Sequence, residues 1–190
     1  LGSLRGGLRL GLGLLGGFTI AALGQVFDGY LTSSDVTCRF FQSGGEACSA
    51  AVRIARAATG RDAIATSGYH GAATDFAHEP NWLGYPERNR WLHRRFEFGE
   101  VSHLRTMDGY PACIMVEVPA RDDEMAIASF LRECRKEADE HAIPFIIDDV
   151  VCGMRLALAG SCERYGVKAD MVVLGKTMSA GHETAFHLTG

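Results

Sequence analysis

Five short apolar runs recur along the chain, each ending in polar or glycine positions: residues 36–41, 63–66, 112–118, 143–147 and 171–174. Their length is that of β-strands. Helical stretches separate them. Residues 46–59 are rich in alanine, carry Val52 and Ile54, and stop at Gly60, a C-cap signal. Residues 123–141 place Ile127, Phe130, Leu131 and Cys134 near one face of an amphipathic helix, and 161–165 read as a short third helix. Strands alternating with helices predict an α/β fold, a mostly parallel sheet with helices on both faces. Residues 72–111 show no clear period and read as a functional loop or a mobile segment. There are no internal repeats.

The strand ends carry the candidate chemistry, because ligands of open α/β sheets sit at the carboxyl ends of strands. The run 143–147 delivers Asp148 and Asp149; the run 171–174 delivers Lys176 directly after Gly175. An acid and a lysine placed this way point to a bound, electron-poor cofactor. A lysine amine condenses with an aldehyde only when deprotonated, which the end of a buried strand favours; the alternative is a surface lysine. A carboxylate closing so apolar a run is costly without a partner; the alternative for Asp148 is a capping or loop acid. Ser43, Gly44 and Gly45 precede a helix, where glycines let an anion approach free N–H groups. Ser43 with Glu46 equally forms a capping box. Tyr69 and His70 follow the second strand, and Tyr69 reads either as a site aromatic or as a core one. On these residues alone the chain is an α/β domain that binds a cofactor.

Three blocks, in order, extend that reading: Ser43-Gly44-Gly45-Glu46-Ala47, then Tyr69-His70-Gly71, then Asp148-Asp149-Val150-Val151-Cys152-Gly153-Met154-Arg155 with Leu174-Gly175-Lys176. They resemble the class III pyridoxal-phosphate aminotransferases, fold-type I enzymes with glutamate-1-semialdehyde aminomutase as a relative. The resemblance runs from about Asp35 to about Ala180. It implies pyridoxal 5′-phosphate as cofactor, with Lys176 as the Schiff-base lysine and proton shuttle. Asp148 would partner the pyridinium nitrogen and keep it protonated. Ser43, Gly44 and Gly45 would cradle the phosphate; Val150 and Tyr69 would cover the two ring faces, with His70 beside Tyr69. Arg155 would be structural. The chain departs from the family at Gly45 (usually Ser or Thr), Asp149 (usually Glu), Val151 (a glutamine in many members) and the 179–184 turn, which lacks the family's proline.

Length and composition fit one globular domain: 190 residues, 47% apolar and 22% charged, with net charge −4. The charge argues against nucleic acid as a bulk partner. The arginines at 88, 90, 94 and 95 read as a solvated loop or as a lid meeting a substrate carboxylate. Six scattered cysteines without a C-x-x-C pair read as reduced cytoplasmic thiols, with no metal site and no disulfide framework. Residues 10–27 carry no charge and reach the length of a membrane span or leader, but their five glycines weaken any helix. They read instead as an irregular, glycine- and leucine-rich segment, with no membrane partner. The expected organisation is therefore that segment over 1–34, and over 35–190 part of the large domain of a fold-type I enzyme, without the C-terminal small domain. The implied reaction moves an amino group between a small-molecule amino donor and a carbonyl acceptor, in a homodimer. The alternatives are an intramolecular aminomutase and a non-catalytic cofactor-binding remnant. An incomplete large domain would also leave apolar surface that favours association.

Overall fold

A computed structural model of the chain describes residues 37–77, 82–101, 104, 109–119, 123–179 and 185–189. The glycine- and leucine-rich segment 1–34, with its span and leader alternatives, lies outside the described residues, as does most of the 179–184 turn. Among the described residues no helix is long and apolar enough to cross a membrane.

Seven strands form one sheet: β1 (Thr37–Phe41), β2 (Ile64–Ser67), β3 (His93–Arg95), β4 (Ile114–Glu117), β5 (Phe145–Asp149), β6 (Met171–Leu174) and β7 (Ala185–Thr189). Their order is β1-β7-β6-β5-β4-β2-β3. The five strands from β3 to β6 are mutually parallel. β7 runs antiparallel to both β6 and β1. Among the described residues three helices flank the sheet: α1 (Gly44–Thr59), α2 (Glu124–Glu140) and α3 (Gly160–Tyr165). The mostly parallel α/β architecture expected from the sequence is the one observed.

The apolar pattern misses β3 and β7. β3 reads His-Arg-Arg, a polar edge strand with nothing apolar to announce it. His93 is nevertheless buried, with Thr66 Oγ1 at 2.7 Å from Nε2 and the Ala77 carbonyl at 2.8 Å from Nδ1. Residues 72–111 are therefore not a structureless loop: they hold this strand and 3-10 turns at Thr74–Phe76 and Glu87–Leu92. Arg90 lies over the Trp82 ring, 5.5 Å from its centroid.

The pleat of the central strands sorts side chains onto two cores. Met115, Ile146, Met171 and Val173 join Ala47, Cys48, Ala51, Val52 and Ala55 of α1. Ile114, Val116, Phe145, Ile147, Val172 and Leu174 join Ile127, Phe130, Leu131 and Cys134 of α2 and Cys162 and Tyr165 of α3. Burial on both faces explains why these strands read as continuous apolar runs. Each fully buried Ile or Phe contributes about 1.5–3 kcal/mol. α1 is capped as its sequence implies: Ser43 Oγ accepts the Glu46 N–H at 3.3 Å, Glu46 Oε2 accepts the Ser43 N–H at 3.2 Å, and Gly60 closes the helix at φ 68°.

Candidate active site

Because β2, β4, β5 and β6 are parallel, their carboxyl ends lie along one side of the sheet. β1 has the same direction as β6, since both are antiparallel to the β7 between them, so the start of α1 falls on that side too. The three sequence blocks, separated by up to about a hundred positions, converge there.

Asp148 and Asp149 part company at the end of β5. Alternation turns Asp148 toward α1, the side of Ile146, and Asp149 toward α2 and α3, the side of Ile147. Asp148 is 4% exposed. Its Oδ2 lies 2.8 Å from His70 Nδ1 and 3.4 Å from Cys48 Sγ; its Oδ1 accepts the Val150 N–H at 3.2 Å. Partners from α1, from the turn after β2 and from its own turn meet on one carboxylate, so Asp148 is not a loop acid. Asp149 is fully buried and accepts both the N–H (3.0 Å) and the hydroxyl of Ser161, anchoring the start of α3.

His70 is buried against Phe76, their ring centroids 5.4 Å apart. Its Nδ1 faces Asp148, and its buried Nε2 has no hydrogen-bond partner among the described residues. A buried nitrogen in that state is costly unless a further group satisfies it. Tyr69, next to it, is 67% exposed, which excludes the core-aromatic alternative. Its backbone N–H is held at 2.8 Å by Glu117 Oε2. Tyr69 also lines an open cavity of about 350 Å³ with Phe76, Leu83 and Tyr85.

The glycines of the first block pack on the other two blocks. A Cβ on Gly44 would meet Val150 Cγ2 at 3.0 Å, so Val150 closes directly on the head of α1. Gly71, at φ 98°, touches Gly45: a Cβ on Gly71 would lie 2.8 Å from the Gly45 Cα. Ser43 realises the capping box, and its hydroxyl can still donate one hydrogen bond. First-turn N–H groups of a helix have no partner within the helix. The helix start therefore keeps free first-turn N–H groups beside its cap.

Lys176 opens the 3-10 turn Lys176–Ser179, just after the buried Gly175. It lies two residues beyond Leu174, the register partner of Asp149, with an exposed side chain and a φ of 45°. Positive φ is uncommon for a lysine and collects at functional turns. Val151 packs half-buried against the α2 side, away from Asp148, and Arg155 donates to the Val151 carbonyl.

Sequence reasoning missed two members of this cluster. Cys48 appeared only as one of six scattered thiols, and Glu117 only as one position near the end of the 112–118 run. Register supplies the signal for Glu117, which pairs with Asp148 across β4 and β5. Nothing in local spacing marks Cys48. Burial, and then the Asp148 charge, push its pKa well above that of an ordinary thiol, so it carries its proton.

No family model matches the chain. It is 34% identical over 161 residues to the glutamate-1-semialdehyde 2,1-aminomutase of Hyperthermus butylicus, covering 75% of this chain and 38% of that protein. The chain thus spans well under half the length of this relative. The FumI protein of Sphingopyxis sp. MTA144, solved in its PLP internal aldimine form, superposes with a TM-score of 0.74 at 25% identity, over 92% of this chain and 44% of its own. A transaminase solved with PLP bound superposes with a TM-score of 0.73 at 24% identity, over 94% of this chain and 45% of its own.

Proposed function

Since the chain belongs to the class III, fold-type I aminotransferase family, we propose that it binds pyridoxal 5′-phosphate (PLP) and moves an amino group between small molecules. The observation that carries this reading is the meeting of Asp148, His70 and the Gly45–Gly71 contact at the sheet edge that also bears Lys176.

The residues present fit the cofactor. Asp148 is a buried carboxylate with an acceptor position to spare, and His70 Nε2 is a buried nitrogen lacking a partner. Glycines head α1, so an anion can come close to its free first-turn N–H groups. Asp148 would hold the ring nitrogen, Ser43, Gly44 and Gly45 the phosphate, Val150 one ring face and Tyr69 with His70 the other. When bound, PLP supplies an electron sink for the electron pair left at the substrate Cα.

The chain's own residues do the rest. Asp148 keeps a proton on the ring nitrogen by its charge, which low solvent exposure strengthens. Lys176 would hold the cofactor through Nζ and would move the proton at the substrate Cα. Glu117 fixes the Tyr69 backbone and with it the turn that presents His70.

The test is an absorption spectrum with added PLP before and after borohydride, on the parent and on Lys176→Ala. The expected result is a band that borohydride fixes to the protein and that Lys176→Ala abolishes. A band that persists in the variant would overturn the assignment of Lys176. The aminomutase named among the relatives favours a second reading, intramolecular transfer, which turnover of one substrate without an added acceptor would single out. A cytoplasmic homodimer belongs to the proposal. Six free cysteines support the compartment, and the exposed Phe40, Leu156 and Leu158 are surface of the kind an interface covers.

A further inference from the structure

Asp148 is held by more than a cofactor-binding carboxylate requires, and one of its donors is a thiol. A carboxylate has about four acceptor positions. Among the described residues, His70 Nδ1 and Cys48 Sγ face the two on Oδ2, and the Val150 N–H takes one on Oδ1. One position, on Oδ1, is left over. The Cys48 Sγ is 3.4 Å from Oδ2, within the reach of a sulfur hydrogen bond, and both groups are buried. The carboxylate has no proton to offer a sulfur when ionised, so the hydrogen in this contact is the thiol's. Cys48 sits on α1 just past the glycine-headed first turn, packed with Ile146 and Val173. The same helix would thus offer its N-terminal amides to the cofactor phosphate and, one turn on, a side chain to the acid that binds the ring.

We propose that Cys48 is a positioning residue for Asp148: its thiol hydrogen holds Oδ2, fixes the rotation of the carboxylate and leaves Oδ1 as the oxygen that accepts the ring N–H. This rests on the PLP reading above. Without the thiol, His70 and the Val150 N–H would each hold one oxygen by one bond; a donor from α1 on Oδ2 adds a third hold, from a different element. The other carboxylate whose charge reaches the Cys48 thiol is Glu117, at the end of β4.

Two measurements test this, one with cofactor and one without. The S–H stretch of Cys48 is read as the infrared difference between the parent and Cys48→Ala. It is expected at the low frequency of a bonded thiol and should rise in Asp148→Asn, whose amide oxygen is a weaker acceptor. With PLP, Cys48→Ala should weaken binding about tenfold, the scale of one hydrogen bond to a charged group, and move the pH midpoint of the cofactor band. Cys48→Ser, which keeps a donor, should restore both to within about twofold. An S–H band at the free-thiol position, or one indifferent to Asp148→Asn, overturns the proposal. So does equal loss in the Ala and Ser variants, which would mark a packing role. If the parent takes up no PLP, the functional reading falls, and the S–H band alone decides whether Cys48 holds Asp148.

Discussion

Gly45 and Gly71 meet backbone to backbone: a Cβ on Gly71 has no room against the Gly45 Cα, whereas one on Gly45 would lie in ordinary contact, 3.6 Å from the Gly71 Cα. One heads α1 and the other ends the turn after β2. Their contact brings the proposed phosphate-binding helix start up to the turn that carries Tyr69 and His70. The 2.8 Å approach of a Cβ on Gly71 to the Gly45 Cα is shorter than a packed structure tolerates, and the φ of 98° is itself unfavourable for alanine.

Gly71→Ala should therefore cost about 2–4 kcal/mol in stability, combining overpacking with backbone strain. It should also weaken PLP binding by more than the stability loss alone requires. Gly60→Ala, at φ 68° with nothing within 4 Å, isolates the backbone contribution and should cost only about 1 kcal/mol. Denaturant titration of both, with a PLP titration beside it, checks the pair. Equal losses in the two variants would mean that the Gly45–Gly71 contact carries nothing.

The adjacent acids Asp148 and Asp149 should respond differently to substitution. Asp149→Ala deletes the two hydrogen bonds that anchor Ser161 and leaves buried donors unsatisfied, so it should destabilise the fold by about 3 kcal/mol or more. Ser161→Ala removes one bond and should cost about 1–2 kcal/mol. Asp148→Asn keeps the volume and should act chiefly on cofactor affinity and the spectrum. Unfolding and PLP-binding curves on the three variants separate the effects. A large affinity loss in Ser161→Ala would contradict this division.

The buried thiols give the protein an alkaline limit. Burial pushes Cys113 from 9.0 up to about 12, and Cys134 and Cys162 are raised for the same first reason. At high pH the unfolded chain loses these protons while the folded chain keeps them, so the unfolded state binds fewer protons and stability falls as pH rises. The contribution is complete below pH 9.0 and is lost between there and about 12 for Cys113. The slope is about 1.4 kcal/mol per pH unit for each such thiol. Unfolding curves from pH 8 upward should show this decline, and Cys113→Ala should make it shallower. A thiol reagent at pH 8 should modify the half-buried Cys38 before the five buried cysteines.

The α/β class, the parallel sheet, the ends of α1 and its two caps were legible in the sequence, because they rest on short-range rules of strand length, helical period, the Ser43–Glu46 box and the left-handed Gly60. The family blocks also named Gly44, Gly45, His70, Gly71, Asp148 and Val150, which the fold brings together. The polar edge strand β3 and the antiparallel β7 were not legible, since their pairing depends on neighbours far along the chain. Tertiary structure alone decided that Asp148 turns to α1 and Asp149 to α3. The pleat makes them opposite, but only the placement of the helices says which face holds the site. It also decided the contacts between Gly45 and Gly71 and between Cys48 and Asp148. Those pairs lie tens of positions apart, up to a hundred for the second. No local preference encodes such a meeting; it arises when α1 closes on the sheet.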